Sequence, residues 1–531
     1  MKKKMKYWGW GHEENSLQDR ETNDLLKALG EFGISGSGKG EFPTLDSISL
    51  NEPRIEVPKS LQKICTTDKY ERVLHTFGQS QPDSIRTFRN DFNNAPDLIA
   101  YPKNEKDIIN LFEWCGEVGA ALIPYGAGSS VVGGVTSDVG ENYNGTVTVD
   151  LSSLNKVMEI DSESRAARIQ GGARGPELEA SLKSAGFTLR HFPQSFEHST
   201  FGGWIATRSG GHFATLYTHI DDLVQNITMV TPVGKIQSLR VPGSGAGPSP
   251  DRLILGSEGS LGIITEAWVR IQKKPTYKAT AGFLFSDFFM ASQAVKAISQ
   301  ASLYPANVRI VDEVELKINN ARDDSSTLMI VSFENSDHPI DAWIQRAEEC
   351  CLDHGGLLDV NWRNNPKANQ ESTVGAWREA FIRMPYNREI LTPRGIISDT
   401  FETAITWDRF ESFYQNVKYA TEKAILKTTG KRGAVSCRFS HAYPDGPAPY
   451  FAFHANSNPK RMMEDWQEIK SAASDAVIKN GGTITHHHAI GRDHSQWYKN
   501  QRPSLFGDAL RRTKAHFDPR KILNPGVVIT E

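Results

Sequence analysis

The chain has 531 residues, with 60 Lys and Arg against 63 Asp and Glu, and its formal net charge is -3. This length predicts two or more packed domains, and the balanced charge excludes a protein that binds nucleic acid through a globally basic surface. The five cysteines are an odd number without a C-x-x-C pair, which indicates a reducing compartment. We therefore expect a cytoplasmic globular protein.

Residues 1–90 predict an N-terminal extension that is mostly helical or irregular. Its basic and aromatic start, MKKKMKYWGW, has no apolar segment of the secretory type. A solvated terminus is the simpler interpretation, and peripheral contact with the inner face of a membrane is the alternative. The chain has no apolar run of membrane-spanning length, and its last residues, GVVITE, lack a peroxisomal address.

Residues 91–275 have the pattern of a mixed α/β region. The stretch PDLIAYPKNEKDIINLFEWCGEVGAALIPYG predicts a strand, a helix, a second strand and a glycine turn. Apolar residues recur at helical spacing at Ile108, Leu111, Phe112 and Cys115. Further strands and a helix follow to about residue 274.

Residues 276–500 have a second pattern, in which apolar strands alternate with long amphipathic helices. TLMIVSFEN and APYFAFHAN predict strands, whereas DAWIQRAEECCLDHG and DRFESFYQNVKYATEKAI predict helices. We expect an antiparallel sheet covered by helices on one side. Residues 501–531 predict a helix and a tail punctuated by Pro and Gly.

Three neighbouring histidines, His486, His487 and His488, stand in the stretch GGTITHHHAIGRDH. Adjacent residues of a strand point to opposite faces, so we expect His486 and His488 on one side and His487 on the other. On that geometry the run supplies at most two imidazoles to one site. We expect no complete metal site from it.

Three loops rich in Gly, Ser and Thr lie between apolar strands in the first half of the chain. They are PYGAGSS, PQSFEHSTFGGWIATRSGG and LILGSEGSLGIITEA. Glycines let backbone N–H groups approach a pyrophosphate, and hydroxyl groups can donate further hydrogen bonds. A single loop of this kind is as well explained by a turn. Three together favour a long cofactor that contains phosphate.

With PDLIAYPKNEKDI and FDPRKILNPG, these loops resemble flavoenzymes of the vanillyl-alcohol-oxidase type from about residue 96 onward. The resemblance implies an α+β fold class, with a two-subdomain FAD-binding α/β domain of the PCMH type at 91–275. It also implies a cap domain with an antiparallel sheet and helices at 276–500, over the flavin, and a segment at 501–531 that returns to the flavin domain.

The resemblance also implies which residues bind FAD. They are Pro124, Tyr125, Gly126, Ala127, Gly128, Ser129, Ser130, Gln194, Ser195, Ser199, Thr200, Gly203, Thr207, Ser209, Gly210, Glu258, Gly259, Leu261, Gly262 and Ile264. Many members tether the flavin through a His beside the first loop. Because PYGAGSS has neither His nor Cys, we expect non-covalent FAD.

Within this group, MKYWGWG, FETAITWDRF, SCRFSHAYPDGPAPYFAF and THHHAIG are similar to alkyldihydroxyacetonephosphate synthases. That family exchanges the acyl chain of acyl-dihydroxyacetone phosphate for a fatty alcohol in ether lipid synthesis. The similarity implies a lipid-like phosphorylated substrate, and a homodimer is one expectation. Matching by motif assigns catalysis to Arg309, Tyr450, His486, His487 and His488, and substrate binding to Arg383 and His441.

Two alternatives remain open. An FAD-linked D-2-hydroxyacid dehydrogenase would carry H-x-G-D-G-N-x-H and E-H-G-I-G, but HAYPDGPAPYF and HHHAIG lack the second His and the Glu. This loss disfavours a complete metal site and leaves a partial one with His441 and His487 as an alternative. A flavin-binding protein without activity is disfavoured by the retained Arg, Tyr and His residues. Arg383 could be an ordinary inter-domain ion pair and Tyr450 a core aromatic, whereas a buried Arg309 needs an anion. Gln194 departs from the Asp of the family pattern.

Overall fold

A computed structural model describes residues 4–38, 40–359 and 372–530. Its first sheet has four strands in the order Cys65–Thr66, Leu98–Ala100, Gly145–Asp150 and Ala120–Tyr125. The last three run parallel, and the first is antiparallel to its neighbour. The first strand lies inside residues 1–90, so that part of the chain contributes a strand to the sheet.

The helix Glu105–Val118 connects two parallel strands of this sheet. It begins after Asn104, whose side chain accepts the N–H of Asp107, and it ends at Gly119 in the left-handed conformation. The apolar positions named from its sequence are all buried, which confirms the helical spacing.

The second sheet has five antiparallel strands. Their order is Val157–Asp161, Ala166–Gln170, Ile263–Arg270, Val224–Thr231 and Gly234–Gln237. Leu122 and Val147 of the first sheet share an apolar core with Val230 and Ile263 of the second. A short ribbon pairs Phe187–Thr188 with Gln272–Lys273. The two sheets therefore pack as one α/β unit.

The segment 518–524 returns to the first sheet. The N–H of Leu122 donates to the carbonyl of Ile522 at 2.7 Å, and the N–H of Asn524 donates to the carbonyl of Leu122 at 2.8 Å. The Asn524 side chain donates to the carbonyls of Gly134 and Glu258 at 3.0 and 2.7 Å. This segment thus ties the edge strand to the third glycine loop.

The third sheet has seven antiparallel strands. Their order is Leu357–Leu358, Tyr277–Phe285, Thr327–Asn335, Asn307–Val311, Ala434–Ala442, Pro447–Asn456 and Ile396–Glu402. Four long helices share one core with it: Phe288–Gln300, Asp341–Asp353, Trp407–Thr429 and Met462–Lys479. The strands and helices read from the sequence in this half are confirmed.

The strands of the third sheet alternate between apolar and polar faces. Val308 and Ile310, Val435 and Cys437, and Phe451 and Phe453 pack in the helix core. The residues next to these core positions point to the opposite face. They include Arg309, Arg438, Tyr450 and Glu402, the last of which follows the core residue Phe401. That face carries the candidate site.

The remaining helices connect or cover these sheets. They are Asp19–Glu31, Lys69–Leu74, Gln81–Phe88, Gly175–Ser184, Phe201–Thr207, Ala214–Tyr217, Ile220–Leu223, Pro250–Ile254, Glu313–Ile318, Thr373–Arg383, Asn387–Leu391, Ser495–Gln501 and Ser504–Phe517. Within the described ranges, no helix combines the length and apolar character needed to cross a membrane.

Candidate functional site

The three adjacent histidines form a bend, and the prediction of a strand there is wrong. The Glu402 carboxylate at the end of Ile396–Glu402 accepts the backbone N–H groups of His486, His487 and His488 at 2.5 to 3.1 Å. It also accepts the Thr485 hydroxyl at 2.6 Å. Successive N–H groups can converge on one anion only where the chain turns. The imidazoles therefore do not alternate between two faces.

Neighbouring imidazoles of the bend meet each other. His486 Nδ1 lies 3.0 Å from His487 Nδ1, and the ring centroids of His487 and His488 are 4.7 Å apart. The rings of His219 and His441 lie 5.2 and 5.0 Å from that of His486. We call these five residues, His219, His441, His486, His487 and His488, the histidine cluster. His486 and His487 share one site, contrary to the expected alternation.

A break in strand register brings His441 to the cluster. The pairing of Ala434–Ala442 with Pro447–Asn456 shifts between Phe439 and His441, and such a bulge redirects the next side chain. His441 Nε2 lies 3.1 Å from the carbonyl of Gly211, and Nδ1 lies 3.1 Å from the Ser440 hydroxyl. His441 therefore faces the second glycine loop.

The imidazoles of the cluster are held neutral at neutral pH. Burial lowers the pKa of His486 to about 4, and burial likewise lowers the pKa values of His219, His441, His487 and His488. Each neutral imidazole keeps one N–H donor and one acceptor nitrogen. The cluster can therefore accept or donate a proton at several neighbouring atoms.

Arg309 is a buried cation that forms no ion pair with the residues that the structure describes. Arg309 is 5% exposed. In the part of the chain that the structure describes, its Nε atom has no hydrogen-bond partner. Its guanidinium packs 4.9 Å from the centre of the Phe381 ring. Burial and the charge of Arg438 lower the pKa of Arg309 to about 9. A charge in this environment calls for an anionic ligand.

Arg438, on the adjacent strand, is in the opposite situation. It pairs with Glu315 at 2.9 Å, and both side chains are nearly inaccessible. Its guanidinium covers the Tyr450 ring at 3.9 Å. Tyr450 stands beside the cluster, with ring centroids 6.1 Å from His487 and 5.3 Å from His488. Burial raises the pKa of Tyr450, so its hydroxyl stays protonated at neutral pH.

The structure does not bring Arg383 into the cluster. Its guanidinium is paired with Glu21 of the N-terminal helix at 2.8 Å and donates to the carbonyl of Ser16. Close by, Lys6 forms a buried ion pair with Glu389 at 2.7 Å. Both contacts fix the N-terminal segment to the cap. The expected substrate clamp is therefore occupied by an ion pair within the protein.

The three glycine loops converge. A Cβ on Gly126 would lie 2.3 Å from Thr200 Oγ1, and one on Gly259 would lie 2.7 Å from Pro124. A Cβ on Gly134 would lie 2.9 Å from Glu258 Oε2. Glu258 in turn accepts the N–H groups of Ile490 and Gly491 at 2.8 and 3.0 Å. The loops and the histidine bend therefore form one continuous wall.

The first loop has the donor set that a pyrophosphate needs. Within the described ranges, the N–H groups of Ala127, Gly128 and Ser129 donate to no protein acceptor. Gly128 has a φ of +70°, and a Cβ there would lie 2.1 Å from the Tyr125 hydroxyl. Unpaired amides in a turn that excludes side chains form an anion nest. These residues fit the phosphates of FAD.

The other residues expected at the cofactor differ in how they are placed. Gly210 lies against His441 and His487, with a Cβ position 2.8 and 3.3 Å from their side chains. Internal hydrogen bonds fix Ser195, Ser199, Thr200, Gly203, Thr207 and Ser209. The side chains of Leu261 and Ile264 pack in an apolar core. Gln194 donates to the carbonyl of Phe381 in the cap at 3.1 Å.

Three residues of the site were missed from the sequence. Glu402 lies in the motif FETAITW, and Tyr443 lies in SHAYPDG, but neither motif reveals a partner in the bend. The Tyr443 hydroxyl forms a hydrogen bond with His486 Nε2 at 2.7 Å, and it also contacts His219 Nε2. His219 carries no local sequence signal. The available sequence signal was Glu402 itself, an acidic residue in a motif that was matched to the same family as THHHAIG.

The cluster also has metal-ligand geometry. His441, His486 and His487 each offer a nitrogen, and these atoms lie within 4.8 Å of one another. Three imidazole nitrogens at such distances can hold a divalent transition metal. The sequence motifs, with a missing His and a missing Glu, had left a partial metal site with His441 and His487 open, but they did not indicate His486 as a third ligand.

Comparison with known proteins adds three findings. Residues 96–240 match the FAD binding domain family, and residues 274–528 match the C-terminal domain of FAD linked oxidases. The chain is 30% identical to the alkyldihydroxyacetonephosphate synthase of Dictyostelium discoideum over 87% of this chain and 78% of that protein. It is 28% identical to the glycolate oxidase subunit GlcD of Bacillus subtilis over 82% of this chain and 89% of that protein.

A solved structure of an alkyldihydroxyacetonephosphate synthase has the same architecture. The TM-score is 0.80 at 26% identity, and the match covers 98% of this chain and 97% of that one. The likeness therefore includes both the cofactor sheets and the cap sheet.

Proposed function

Because the chain belongs to the FAD-linked oxidases and, among them, to the alkyldihydroxyacetonephosphate synthase family, we propose that it is an FAD-dependent alkyldihydroxyacetonephosphate synthase. The reaction takes an acyl-dihydroxyacetone phosphate and a fatty alcohol. The C–O bond to the acyl group breaks and a carboxylate leaves, while a C–O bond to the alcohol oxygen forms. The alcohol loses its proton, and no net oxidation occurs.

The observation that carries this proposal is the unpaired charge of Arg309 next to the histidine cluster. The substrate has a phosphate dianion, and a guanidinium is the side chain best suited to bind it in two-pronged fashion. Arg309 contributes enough positive charge at His441 to help lower its pKa. An anion bound at Arg309 would therefore place its attached carbon chain beside the imidazoles.

The side chains supply the proton chemistry. Removal of a proton from the carbon next to the carbonyl needs a positioned base, and a neutral imidazole such as His487 offers a nitrogen lone pair for that proton. Tyr450, protonated and stacked on His487, serves as a hydrogen-bond donor. FAD, held by the three glycine loops, supplies when bound an electron-accepting ring.

The direct test uses purified protein. We expect a yellow protein whose FAD is released by acid or heat, and we expect exchange of a labelled fatty alcohol into acyl-dihydroxyacetone phosphate. Flavin that stays on the denatured chain would contradict non-covalent binding. A protein that incorporates no alcohol under these conditions would contradict the proposed reaction.

Matched arginine variants test the role of Arg309. Arg309→Met removes a charge that has no partner, so kcat/KM should fall about 100-fold or more while stability is kept. Arg438→Met makes the same change one strand away, but it leaves Glu315 buried and unpaired, so it should cost about 3 kcal/mol of stability. Wild-type kcat/KM in Arg309→Met would remove Arg309 from the site.

A second candidate is an FAD-linked D-2-hydroxyacid dehydrogenase, favoured by the metal-ligand spacing of His441, His486 and His487. It predicts that D-lactate or glycolate bleaches the flavin under anaerobic conditions, and that a chelator abolishes this until zinc or manganese is restored. The synthase predicts no bleaching by either acid and full activity after treatment with a chelator.

The fatty chain of the substrate adds a membrane contact to the proposal. A substrate with a fatty chain resides in a lipid phase, so we propose peripheral contact with membrane surfaces. Co-sedimentation with vesicles that contain the substrate tests this contact, and light scattering tests the expected homodimer. Binding to no vesicle, or a monomer at working concentration, would contradict the respective statement.

A further inference from the structure

Four titratable side chains form an unbroken chain of hydrogen bonds through the histidine cluster. His487 Nδ1 lies 3.0 Å from His486 Nδ1, and His486 Nε2 lies 2.7 Å from the Tyr443 hydroxyl. The same hydroxyl contacts His219 Nε2. The order is therefore His487, His486, Tyr443, His219. The assigned roles of the site use only the first two.

Tyr443 also borders solvent. It lines an open cleft of about 430 Å³ together with Arg409, Asp445 and Thr483. Tyr443 is thus next to this cleft, whereas His487 is not among the residues that line it and packs near Tyr450 and Gly210. We propose that Tyr443 and His219 extend the cluster into a proton relay that connects His487 with this cleft. The proposal rests on the proposed function, because it supplies that reaction with its proton path.

The relay can exist in two polarities. In one, His219 donates to the Tyr443 oxygen, Tyr443 donates to His486 Nε2, and His486 Nδ1–H donates to His487 Nδ1. His487 then carries its proton on Nε2 and is poised as an acid. In the other polarity every bond is reversed, and His487 Nε2 has a free lone pair and is poised as a base.

A proton taken up at one end converts one polarity into the other. When His487 Nε2 accepts a proton, its Nδ1 proton moves to His486 Nδ1, and the His486 Nε2 proton moves to the Tyr443 oxygen. The Tyr443 proton then leaves for water in the cleft, or it passes to His219 Nε2 while His219 releases its Nδ1 proton to water. One proton enters, one leaves, and no electrons are exchanged.

The kinetic test compares two tyrosine variants. Tyr443→Phe keeps the ring and removes the hydroxyl from the relay, so kcat should fall about 10- to 100-fold with KM unchanged. Tyr70→Phe is the control, because its hydroxyl makes one hydrogen bond, to the carbonyl of Met5 at 2.7 Å, far from the bend in sequence. FAD content and melting temperature should be alike in the two variants.

A readout specific to proton transfer separates the relay from packing. In Tyr443→Phe, kcat should rise with the concentration of imidazole buffer, which can enter the cleft and replace the missing carrier. It should not rise in wild type or in Tyr70→Phe. A Tyr443→Phe enzyme with wild-type kcat and no buffer dependence would overturn the relay.

A second readout needs no substrate. In ¹⁵N-labelled FAD enzyme, removal of the Tyr443 hydroxyl should shift the ring nitrogens of His486 and His487 and leave those of His494 unchanged. If wild type fails to exchange alcohol but these shifts occur, the synthase assignment fails and the relay stands. If exchange occurs and neither kcat nor the shifts respond to Tyr443→Phe, the relay fails and the synthase stands.

Discussion

The histidine bend is held from two sides by two buried carboxylates that behave differently. Glu402, from the cap sheet, accepts three consecutive backbone N–H groups and the Thr485 hydroxyl. Glu258, from the third glycine loop, accepts the N–H groups of Ile490 and Gly491 and no others among the described residues. Both residues are glutamates whose carboxylates accept backbone N–H groups of the bend or of the residues just after it. They differ in how many donors compensate for their burial.

The difference appears in their titration. Burial would raise the pKa of Glu402, but the imidazoles of the bend and the Thr485 hydroxyl hold it below its usual 4.5. For Glu258 burial prevails over its two N–H donors and raises the pKa to about 7. The cap side therefore holds the bend with a fixed charge, whereas the cofactor side holds it with a group that can lose its charge near neutrality.

The largest expected effect comes from Glu402→Gln. The amide cannot accept the same N–H groups with a full charge, and its own NH₂ group would face donors, so unfolding free energy at pH 8 should fall by about 3 kcal/mol. Glu258→Gln is the matched variant and should change it by less than about 1 kcal/mol. Urea unfolding of the FAD-bound proteins measures both. Equal losses in the two variants would contradict the comparison.

The pH dependence should have opposite signs. Glu402 has a lowered pKa, so its contribution is present above pH 4.5 and is lost as pH falls below it. Glu258 has a pKa raised to about 7, so its contribution is present below pH 4.5 and is lost as pH rises through 7. The stability difference between wild type and each Gln variant cancels the other titrating groups, and it is measured from pH 3 to 8 so that the range extends below pH 4.5. Parallel slopes would contradict these assignments.

On the cofactor side, a substitution that strains the backbone should weaken FAD binding more than it destabilises the fold. Gly128→Ala forces a side chain into the left-handed region and against the Tyr125 hydroxyl, so FAD affinity should fall about 10- to 100-fold. Gly140→Ala is the control, because its φ is +77° but no atom lies within 4 Å of the added Cβ. Flavin absorbance of the purified variants measures the effect. Similar FAD loss in both would assign it to backbone strain alone.

The smallest expected effect concerns Arg383. Its ion pair with Glu21 is partly exposed, with side chains 31% and 36% accessible, so Arg383→Lys should change stability by less than about 1 kcal/mol. KM for the phosphorylated substrate should stay at the wild-type value, because Glu21 occupies the guanidinium. A KM raised about 10-fold would restore Arg383 as a substrate clamp and would show that the ion pair opens during catalysis.

Local patterns were sufficient for the elements but not for the bend. The helix Glu105–Val118 follows from the helical spacing of its apolar residues, and the strand Thr327–Asn335 follows from a short, mostly apolar run that is almost wholly buried. The convergence of the glycine loops followed from their composition. The bend did not, because the group that shapes it is Glu402, 84 to 86 residues earlier in the chain. The register shift that turns His441 toward Gly211 likewise depends on strand pairing.

The return of residues 518–524 to the first sheet has a consequence for how the protein is made. The strands of that sheet come from residues 65–150. The free side of the edge strand Ala120–Tyr125, however, is hydrogen-bonded by residues about 400 positions later in the chain. On the ribosome, the whole cap sheet has emerged before Asn524 can bind the carbonyls of Gly134 and Glu258. The cap can therefore fold before the flavin loops are locked.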